Sequence, residues 1–208
     1  MAKKLNVNPN RMELSRLKKR LVVAKRGHKL LKDKQDALIK AFLDLAREIK
    51  KLREEVEEEL AECYRSFLLA RAQTLPAMLE QSLMISGTKI NLSVKYKNVM
   101  SVVVPEYQVE QSGSILNYGL ATSPGSLDVA LERFSSVIPK LISLAAKEKS
   151  LNLMAAEIER TRRRVNALEH VLIPSFAETI HYIKMKLDEQ ERATLSRLMR
   201  VKEIVRSH

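Results

Sequence analysis

Few residues of this chain have the type and spacing that a reaction centre requires. A metal ion needs several convergent ligands, and the predicted helical register keeps His28 far from His170 and His181. Cys63 is the single cysteine and has no histidine near it, which predicts a small residue of the core. No nucleophile, base and orienting group fall together on one element. The sequence therefore predicts a chain without catalytic activity, cofactor or metal.

The glycines do not form a phosphate-binding loop either. Gly125 follows Gly119 by six residues and no lysine comes after it, so the G-x-x-x-x-G-K-[ST] pattern is absent. With five glycines and no tryptophan in 208 residues, the composition differs from that of a compact α/β enzyme. The abundance of Leu, Ala, Lys, Arg and Glu indicates long helices.

The densest charge lies at Arg162, Arg163 and Arg164. Consecutive helical residues are separated by about 100°, so these guanidinium groups cover roughly half of the helix circumference. The formal net charge of +12 predicts attraction to acidic surfaces, whether nucleic acid, anionic membrane or protein. A solvated helix face, with intrahelical pairs to glutamates such as Glu159, accounts for the three arginines equally well.

Charge is also segregated along the first third of the chain. A basic stretch contains Lys18, Lys19, Arg20, Lys25, Arg26, Lys29, Lys32 and Lys34. An acidic stretch contains Glu54, Glu55, Glu57, Glu58, Glu59 and Glu62. A solvated face explains either stretch alone, but their separation indicates that they meet different neighbours.

Helices must position these charges, because apolar residues recur at heptad spacing near both ends of the chain. The C-terminal seam consists of Leu151, Met154, Ile158, Thr161, Val165, Leu168 and Leu172. The first N-terminal series consists of Leu14, Leu21, His28, Gln35, Phe42, Ile49, Val56 and Cys63, and the second of Leu17, Ala24, Leu31, Leu38, Leu45 and Leu52. The second series fails at Glu59, which is a stutter. We expect His28 and Gln35, polar residues within the seam, to fix the register of the helix pair.

Prolines and caps give the helix limits. Asn10 and Glu13 resemble a capping box, and nothing interrupts the first helix before Pro76. Pro139 predicts a bend in the C-terminal helical segment or a break before it, and Pro174 predicts a kink because it lacks an N–H. An apolar stripe continues after that kink at Phe176, Ile180, Ile183, Leu187, Gln190, Thr194, Leu198, Val201 and Val205.

Between the helical parts, charges thin out and a β pattern appears. Apolar residues alternate with polar ones at Ile90, Leu92, Val94 and Tyr96, the period of a half-buried strand. A second β-branched run from Val99 to Val104 ends at Pro105, with Lys97 and Asn98 as the predicted turn. Apolar hairpin residues such as Val102 and Val104 are candidates either to dock a partner or to pack on the helices.

The predicted fold is mainly α: a long antiparallel two-helix coiled coil of N- and C-terminal helices, with a small central insert containing a β-hairpin. We expect the first helix in residues 10–80, the hairpin and loop in 86–125, and the helical segment completing the coiled coil in 126–206. Pairing within the chain has the higher effective concentration, although pairing between two chains stays open. The N-terminus lacks the apolar region of a signal peptide, no membrane-spanning run occurs, and one cysteine fits a reducing compartment.

Two stretches give the chain a family resemblance. PNRMELSRLKKRLVVAKRGHKLLKDKQDAL (Pro9–Leu38) and TRRRVNALEHVLIP (Thr161–Pro174) closely resemble the family of D subunits of V-type and archaeal-type ATP synthases, and the likeness covers nearly the whole chain. Two positions depart from the family pattern: Asn10 replaces an expected Thr and Gln35 replaces an expected basic residue. Asn still caps a helix, whereas Gln35 removes one positive charge.

The resemblance implies the central rotor shaft of a rotary ATPase, which couples nucleotide turnover to ion transport through a membrane ring and performs no chemistry itself. It implies a cytoplasmic location, peripheral to the membrane. Expected partners are the catalytic A and B subunits, the F subunit, plus the stalk subunit that caps the ring, with no nucleic acid and no direct membrane insertion. Candidate contacts with A and B are Arg162, Arg163, Arg164, Lys18, Lys19 and Arg26. Candidate contacts with F or the stalk are Val102, Val104 and Tyr96.

Two other functions fit parts of the pattern. A prefoldin-like chaperone also combines an antiparallel coiled coil with a β insert, but such chains are usually shorter and more acidic. A basic coiled-coil nucleic-acid-binding protein would explain the charge, but aromatic residues are not interleaved with the basic ones as base stacking requires.

Overall fold

The computed structural model describes residues 5–84, 87–115, 117–119 and 123–207. In chain order the elements are α1 (Arg11–Gln73), α2 (Pro76–Leu83), β1 (Thr88–Val99), β2 (Val102–Gly113), α3 (Gly125–Ala167), a π-helical turn (Leu168–Leu172) and α4 (Ile173–Ser207). The predicted fold class is confirmed. Long N- and C-terminal helices pack against each other, and a two-stranded insert lies between them in the sequence. The predicted start of that insert, Ser86, lies outside the described residues.

The chain divides into two compact units. The terminal unit comprises Met1–Ala37 and Ile158–His208, and the central unit comprises Leu38–Glu157. Both α1 and α3 contribute residues to each unit. In consequence, each unit combines sequence that lies far apart along the chain.

The terminal unit begins with the predicted helix cap. The Glu13 backbone N–H donates to Asn10 Oδ1 at 2.7 Å, so one free N–H of the first turn of α1 is satisfied. Leu17 of α1 packs with Ile180 and Ile183 of α4 in a buried apolar cluster. Removal of such side chains from water is the main term that holds the two helices together.

Two polar contacts define the direction of the helices in this unit. His28 Nε2 lies 3.2 Å from Glu169 Oε2, and Arg11 Nη2 donates to Glu191 Oε1 at 2.5 Å. Arg11, nearer the start of α1, bonds to the later residue Glu191, whereas His28 bonds to the earlier residue Glu169. The two helical segments therefore run antiparallel. His28 is half-buried and bonded to the opposite helical segment, as a seam residue that fixes register should be.

The segment before α1 also packs on α4, which the heptad pattern did not predict. The Leu5 backbone N–H donates to Thr179 Oγ1 at 3.1 Å, and the Thr179 hydroxyl donates to the Ser175 carbonyl at 2.6 Å. The Leu5 side chain joins the cluster around Leu17. This contact explains why two polar residues of α4, Ser175 and Thr179, are buried.

The C-terminal seam ends earlier than predicted. Met154, Thr161 and Val165 are buried, but Leu172 is 39% exposed. It lies in the π-helical turn, where the Ile173 N–H donates to the carbonyl of Leu168, five residues earlier. The wider turn rotates Leu172 out of the interface, because one turn holds an additional residue.

The central unit is built on a seam between α1 and α3. Ile49, Val56 and Cys63 of α1 pack with Val137 and Leu144 of α3 in one buried cluster. A second buried cluster contains Ala70 of α1, Leu79 of α2 and Leu127 of α3. Tyr64 and Phe134 add an edge-to-face ring contact with centroids 5.8 Å apart.

Two prolines behave differently in the central unit. Pro76 begins α2, where its missing N–H costs nothing, and α1 has ended at Gln73. Pro139 lies inside α3, which is continuous through it, so the predicted alternative of a break is wrong. The buried seam on either side of Pro139 keeps the helix intact despite the lost backbone hydrogen bond.

The hairpin differs from its predicted register. Its turn consists of Met100 and Ser101, with φ of 51° and 71°, and not of Lys97 and Asn98. Both turn residues adopt positive φ, which matches the twist of a two-residue hairpin loop. Pro105 does not end the second strand but lies within β2 opposite Tyr96. A two-stranded sheet leaves one side of each strand unpaired, where a proline needs no donor.

Candidate interaction surfaces

Net charge is divided unequally between the two units. The terminal unit contains 23 Lys and Arg against 10 Asp and Glu, whereas the central unit contains 14 against 15. The terminal unit therefore carries all of the chain's net positive charge. Attraction to an acidic partner is concentrated on this unit.

The predicted arginine surface is exposed in the terminal unit. The side chains of Arg162 and Arg164 make no ion pair with any described residue. Arg163 pairs with Glu159 one turn earlier, which is one of the intrahelical pairs that the solvated-face interpretation predicted. Such an exposed pair contributes little and leaves the guanidinium accessible.

Three cations of α1 are also exposed in the terminal unit. Lys18, Lys19 and Arg26 are exposed and form no ion pair within the part of the chain that the structure describes. Val23 and Leu30 of the same helix are also exposed, so apolar side chains stand among the cations. A partner that covers this part of α1 must offer both acidic and apolar groups.

The acidic stretch of α1 is used differently, because much of it is paired within the chain. In the central unit, Glu59 pairs with Lys140, and Glu62 lies 3.8 Å from Arg133. Glu48, just before the stretch, accepts from Lys147 Nζ at 3.2 Å. These cross-helix pairs favour the antiparallel register of α1 and α3 and give these glutamates partners within the chain.

Two more glutamates of that stretch pair along α1 itself. Glu54 lies 3.9 Å from Lys50, and Glu57 lies 3.4 Å from Arg53. The segregation of charge in the sequence thus has an internal explanation in the central unit. A second partner is not required to account for it.

Of the three predicted contact residues of the hairpin, Tyr96 on β1 is exposed and the two valines on β2 are not. Val102 and Val104 are buried, with exposures of 6% and 8%, whereas Tyr96 is 72% exposed. The exposed apolar face of β1, called here the β1 face, consists of Ile90, Leu92, Val94 and Tyr96. These residues alternate along one strand and so share one side of the sheet. The alternation correctly predicted a strand, but its apolar side is exposed where a half-buried strand was expected.

Close backbone packing and side-chain bonds hold the base of the hairpin. Gly113 has φ of +108°, and a Cβ there would meet the Gly87 carbonyl oxygen at 2.1 Å. Gln111 Nε2 donates to the carbonyl of Ser135 in α3 at 3.3 Å. The hairpin is therefore anchored to the helices of the central unit at this end.

The loop before α3 is fixed by one short hydrogen bond. The Tyr118 hydroxyl donates to Asp128 Oδ1, near the start of α3. Partial burial, followed by this hydrogen bond and the nearby carboxylate charge, raises the pKa of the Tyr118 hydroxyl well above its usual value. The phenol therefore keeps its proton and acts as a donor at neutral pH.

The residues that could do chemistry are not brought together. Cys63 is buried in the core of the central unit, and burial raises the pKa of its thiol. Among the described residues, no three His, Cys, Asp or Glu side chains form a group that could hold a metal ion. The same residues include no helix that is long and apolar enough to cross a membrane.

Comparisons with known proteins agree with the predicted resemblance. The family model for the D subunit of ATP synthase matches residues 13–203. Proteins named as the D subunit of V-type ATP synthase are similar over nearly their full length. One from Thermoanaerobacter sp. is 53% identical over 203 residues, with 97% of each chain covered. One from Fusobacterium nucleatum is 54% identical over 205 residues, again with 97% of each chain covered. The chain belongs to the family of ATP synthase D subunits.

Proposed function

We propose that this chain is the central stalk, or rotor shaft, of a V-type rotary ATPase. In this role it couples ATP synthesis or hydrolysis in the catalytic head to ion translocation through the membrane ring. The chain supplies no catalytic group and acts as a peripheral component of the complex. Family membership over residues 13–203 and the paired long helices support this role.

The observation that carries the proposal at residue level is the division of charge between the units. A shaft must turn against its collar, so graded attraction by long, solvated side chains suits it better than fixed apolar contacts. The terminal unit offers this type of surface through Arg162, Arg163 and Arg164, together with Lys18, Lys19 and Arg26. We assign these residues to contact with the catalytic A and B subunits.

The hairpin supports a second assignment, to the F subunit or to the subunit that caps the membrane ring. Tyr96 is the most exposed residue of the β1 face, and an amphipathic ring of this kind is frequent at protein interfaces. Val102 and Val104 are buried residues of β2, and their burial stabilises the neighbouring strand β1. We therefore expect Tyr96 to touch the partner and the two valines to hold the hairpin in position.

The test is recovery of partner subunits by the tagged full chain at moderate salt. Wild type should recover A, B and F together. Substitution of Arg162, Arg163 and Arg164 by alanine should lower the affinity for A and B by about tenfold to a hundredfold, as expected for a few charged contacts. Recovery of F should not change.

A matched variant removes three exposed cations from the central unit instead. Alanine at Lys51, Arg65 and Lys149 changes the net charge by the same amount, and affinity for A and B should stay within about twofold of wild type. Equal losses for the two triple variants would contradict the residue assignment. Failure of wild type to recover A and B would contradict the function itself.

A further inference from the structure

The apolar positions of α4 that pack on α1 change their phase at the π-helical turn, whereas buried Ser175 and Thr179 occupy the unshifted positions. Before the turn, Val165 and Leu168 occupy the seam at regular heptad spacing. After it, the core residues of α4 are Phe176, Ile180 and Ile183. Phe176 follows Leu168 by eight residues where the heptad repeat has seven. The seam has therefore advanced by one residue across the turn.

The π-helical turn absorbs that additional residue. Its Ile173 N–H bonds to the Leu168 carbonyl over five residues, where an α-helix would bond over four. Leu172, the residue that would continue the heptad repeat, is exposed instead. The wide turn thus returns the apolar face of α4 to α1 despite the added residue.

The backbone is weakest at the same place. Pro174 has no N–H to donate, and it is the second residue after the π-helical turn. The exposed side chains of Val171 and Leu172 add little packing there. His28 of α1, bonded to Glu169, is the polar contact that ties the turn to the opposite helix. Low packing and interrupted backbone bonds are the physical signs of local opening.

We propose that the π-helical turn is a hinge between the arginine surface and α4, formed by one added residue that folding does not need. Movement at the hinge lets α4 bend while Arg162, Arg163 and Arg164 remain on α3. Its use during rotation rests on the proposed function. The existence of the hinge as a weak point in the helix does not depend on that function.

Deletion of Val171 tests the proposal directly. Without this exposed residue, both heptad series become continuous: Val165 is followed by Ile173 and Ile180, and Leu168 by Phe176 and Ile183. An α-helix can then replace the turn, with Pro174 as the one position that still lacks an N–H. We expect the melting temperature of the full chain to stay within about 4 °C of wild type or to rise.

Deletion of Val23 is the matched control. Val23 is a valine of similar exposure, 69% against 61% for Val171, and lies in the same unit on the opposite helix. No π-helical turn exists in α1 to compensate, so Leu17 and Leu21 move about 100° from the seam. The melting temperature should fall by more than about 8 °C. If the Val171 deletion destabilises the chain as much, the added residue is needed for folding and the proposal is wrong.

Hydrogen exchange measures the hinge itself. In wild type, amides from Glu169 to Ile173 should exchange at least about tenfold faster than those of the preceding turns of α3. In the Val171 deletion their exchange rates should fall toward those of their neighbours, and the remaining difference comes from Pro174, which still lacks an N–H. Equal rates in wild type would overturn the hinge, whatever the function of the chain.

Whether the hinge affects the coupling of ATP hydrolysis to ion transport must be measured in the assembled complex. With the Val171 deletion, ATP hydrolysis or the ion transport coupled to it should fall at least about threefold while assembly is retained. Unchanged turnover and transport in a complex with suppressed exchange would show that movement at the turn is not used. Failure of both wild type and variant to assemble with A and B would contradict the proposed function. The hydrogen-exchange rates alone would then decide whether the hinge exists.

Discussion

The terminal and central units use the same helical architecture but treat their charges in opposite ways. In the central unit, Glu48 and Glu59 pair with Lys147 and Lys140 across the helix interface, and the net charge is close to zero. In the terminal unit, cations such as Arg162 stay exposed and acidic residues are outnumbered by more than two to one. One region uses charge to define its own register, whereas the other displays charge. A heptad seam pairs the helices in both, so the charged surface and the hairpin of the central unit distinguish the two.

Loss of a buried seam residue in the terminal unit should have the largest effect on stability. Leu17→Ala deletes a fully buried side chain between Ile180 and Ile183 and should lower the free energy of unfolding by about 3 kcal/mol. Chemical denaturation of the full chain measures this loss. Leu30→Ala, at an exposed position of the same helix, should change it by less than about 0.5 kcal/mol. Equal effects would mean that charge, and not apolar burial, holds this unit together.

A second prediction contrasts two glycines, one in each unit. Gly113→Ala places a Cβ against the Gly87 carbonyl oxygen at a positive φ, and should destabilise the central unit by about 2 kcal/mol. Gly27→Ala introduces a Cβ that meets no atom within 4 Å inside α1, and should stabilise the chain by up to about 1 kcal/mol. Thermal unfolding measures both. A destabilising Gly27→Ala would instead show that this glycine allows a close approach of a neighbouring helix.

The smallest effect concerns the cross-helix ion pairs. A double-mutant cycle on Glu59 and Lys140 should give a coupling free energy of about 0.2–1 kcal/mol, because both side chains are partly exposed to solvent. A cycle on Glu55 and Lys140, which form no pair, should give a coupling near zero. High salt should reduce the first value. A zero coupling for Glu59 and Lys140 would mean that this ion pair does not help to set the register of α1 and α3.

The sequence predicted the helical part of this fold well because its signal is local. Seam residues from Leu17 to Cys63 repeat at heptad spacing, and a helix must place them on one side. The cap at Asn10 depends on a few consecutive residues and was confirmed by its hydrogen bond. Exposure of the arginine surface followed from the same periodicity. Its contacts with other proteins of the complex remain a prediction.

The features that escaped prediction depend on contacts between distant residues or on weak turn signals. Met100 and Ser101 form the hairpin turn without a glycine or asparagine to mark it, so the β-branched pattern misplaced it. Leu5 lies on Thr179 through a tertiary contact that no repeat encodes. The phase change before Phe176 was countable in the sequence, as a step of eight where seven was expected. A heptad count carried through Pro174 would have found it.

The central claim is that the terminal unit, and not the central unit, faces the catalytic head. A photo-reactive benzoyl-phenylalanine at position 163 tests this most directly, with the same residue at exposed position 55 of the central unit as the comparison. In the assembled complex, we expect irradiation to cross-link position 163 to the A or B subunit, whereas position 55 should cross-link to neither. Cross-links to A or B from position 55, with none from position 163, would contradict the account.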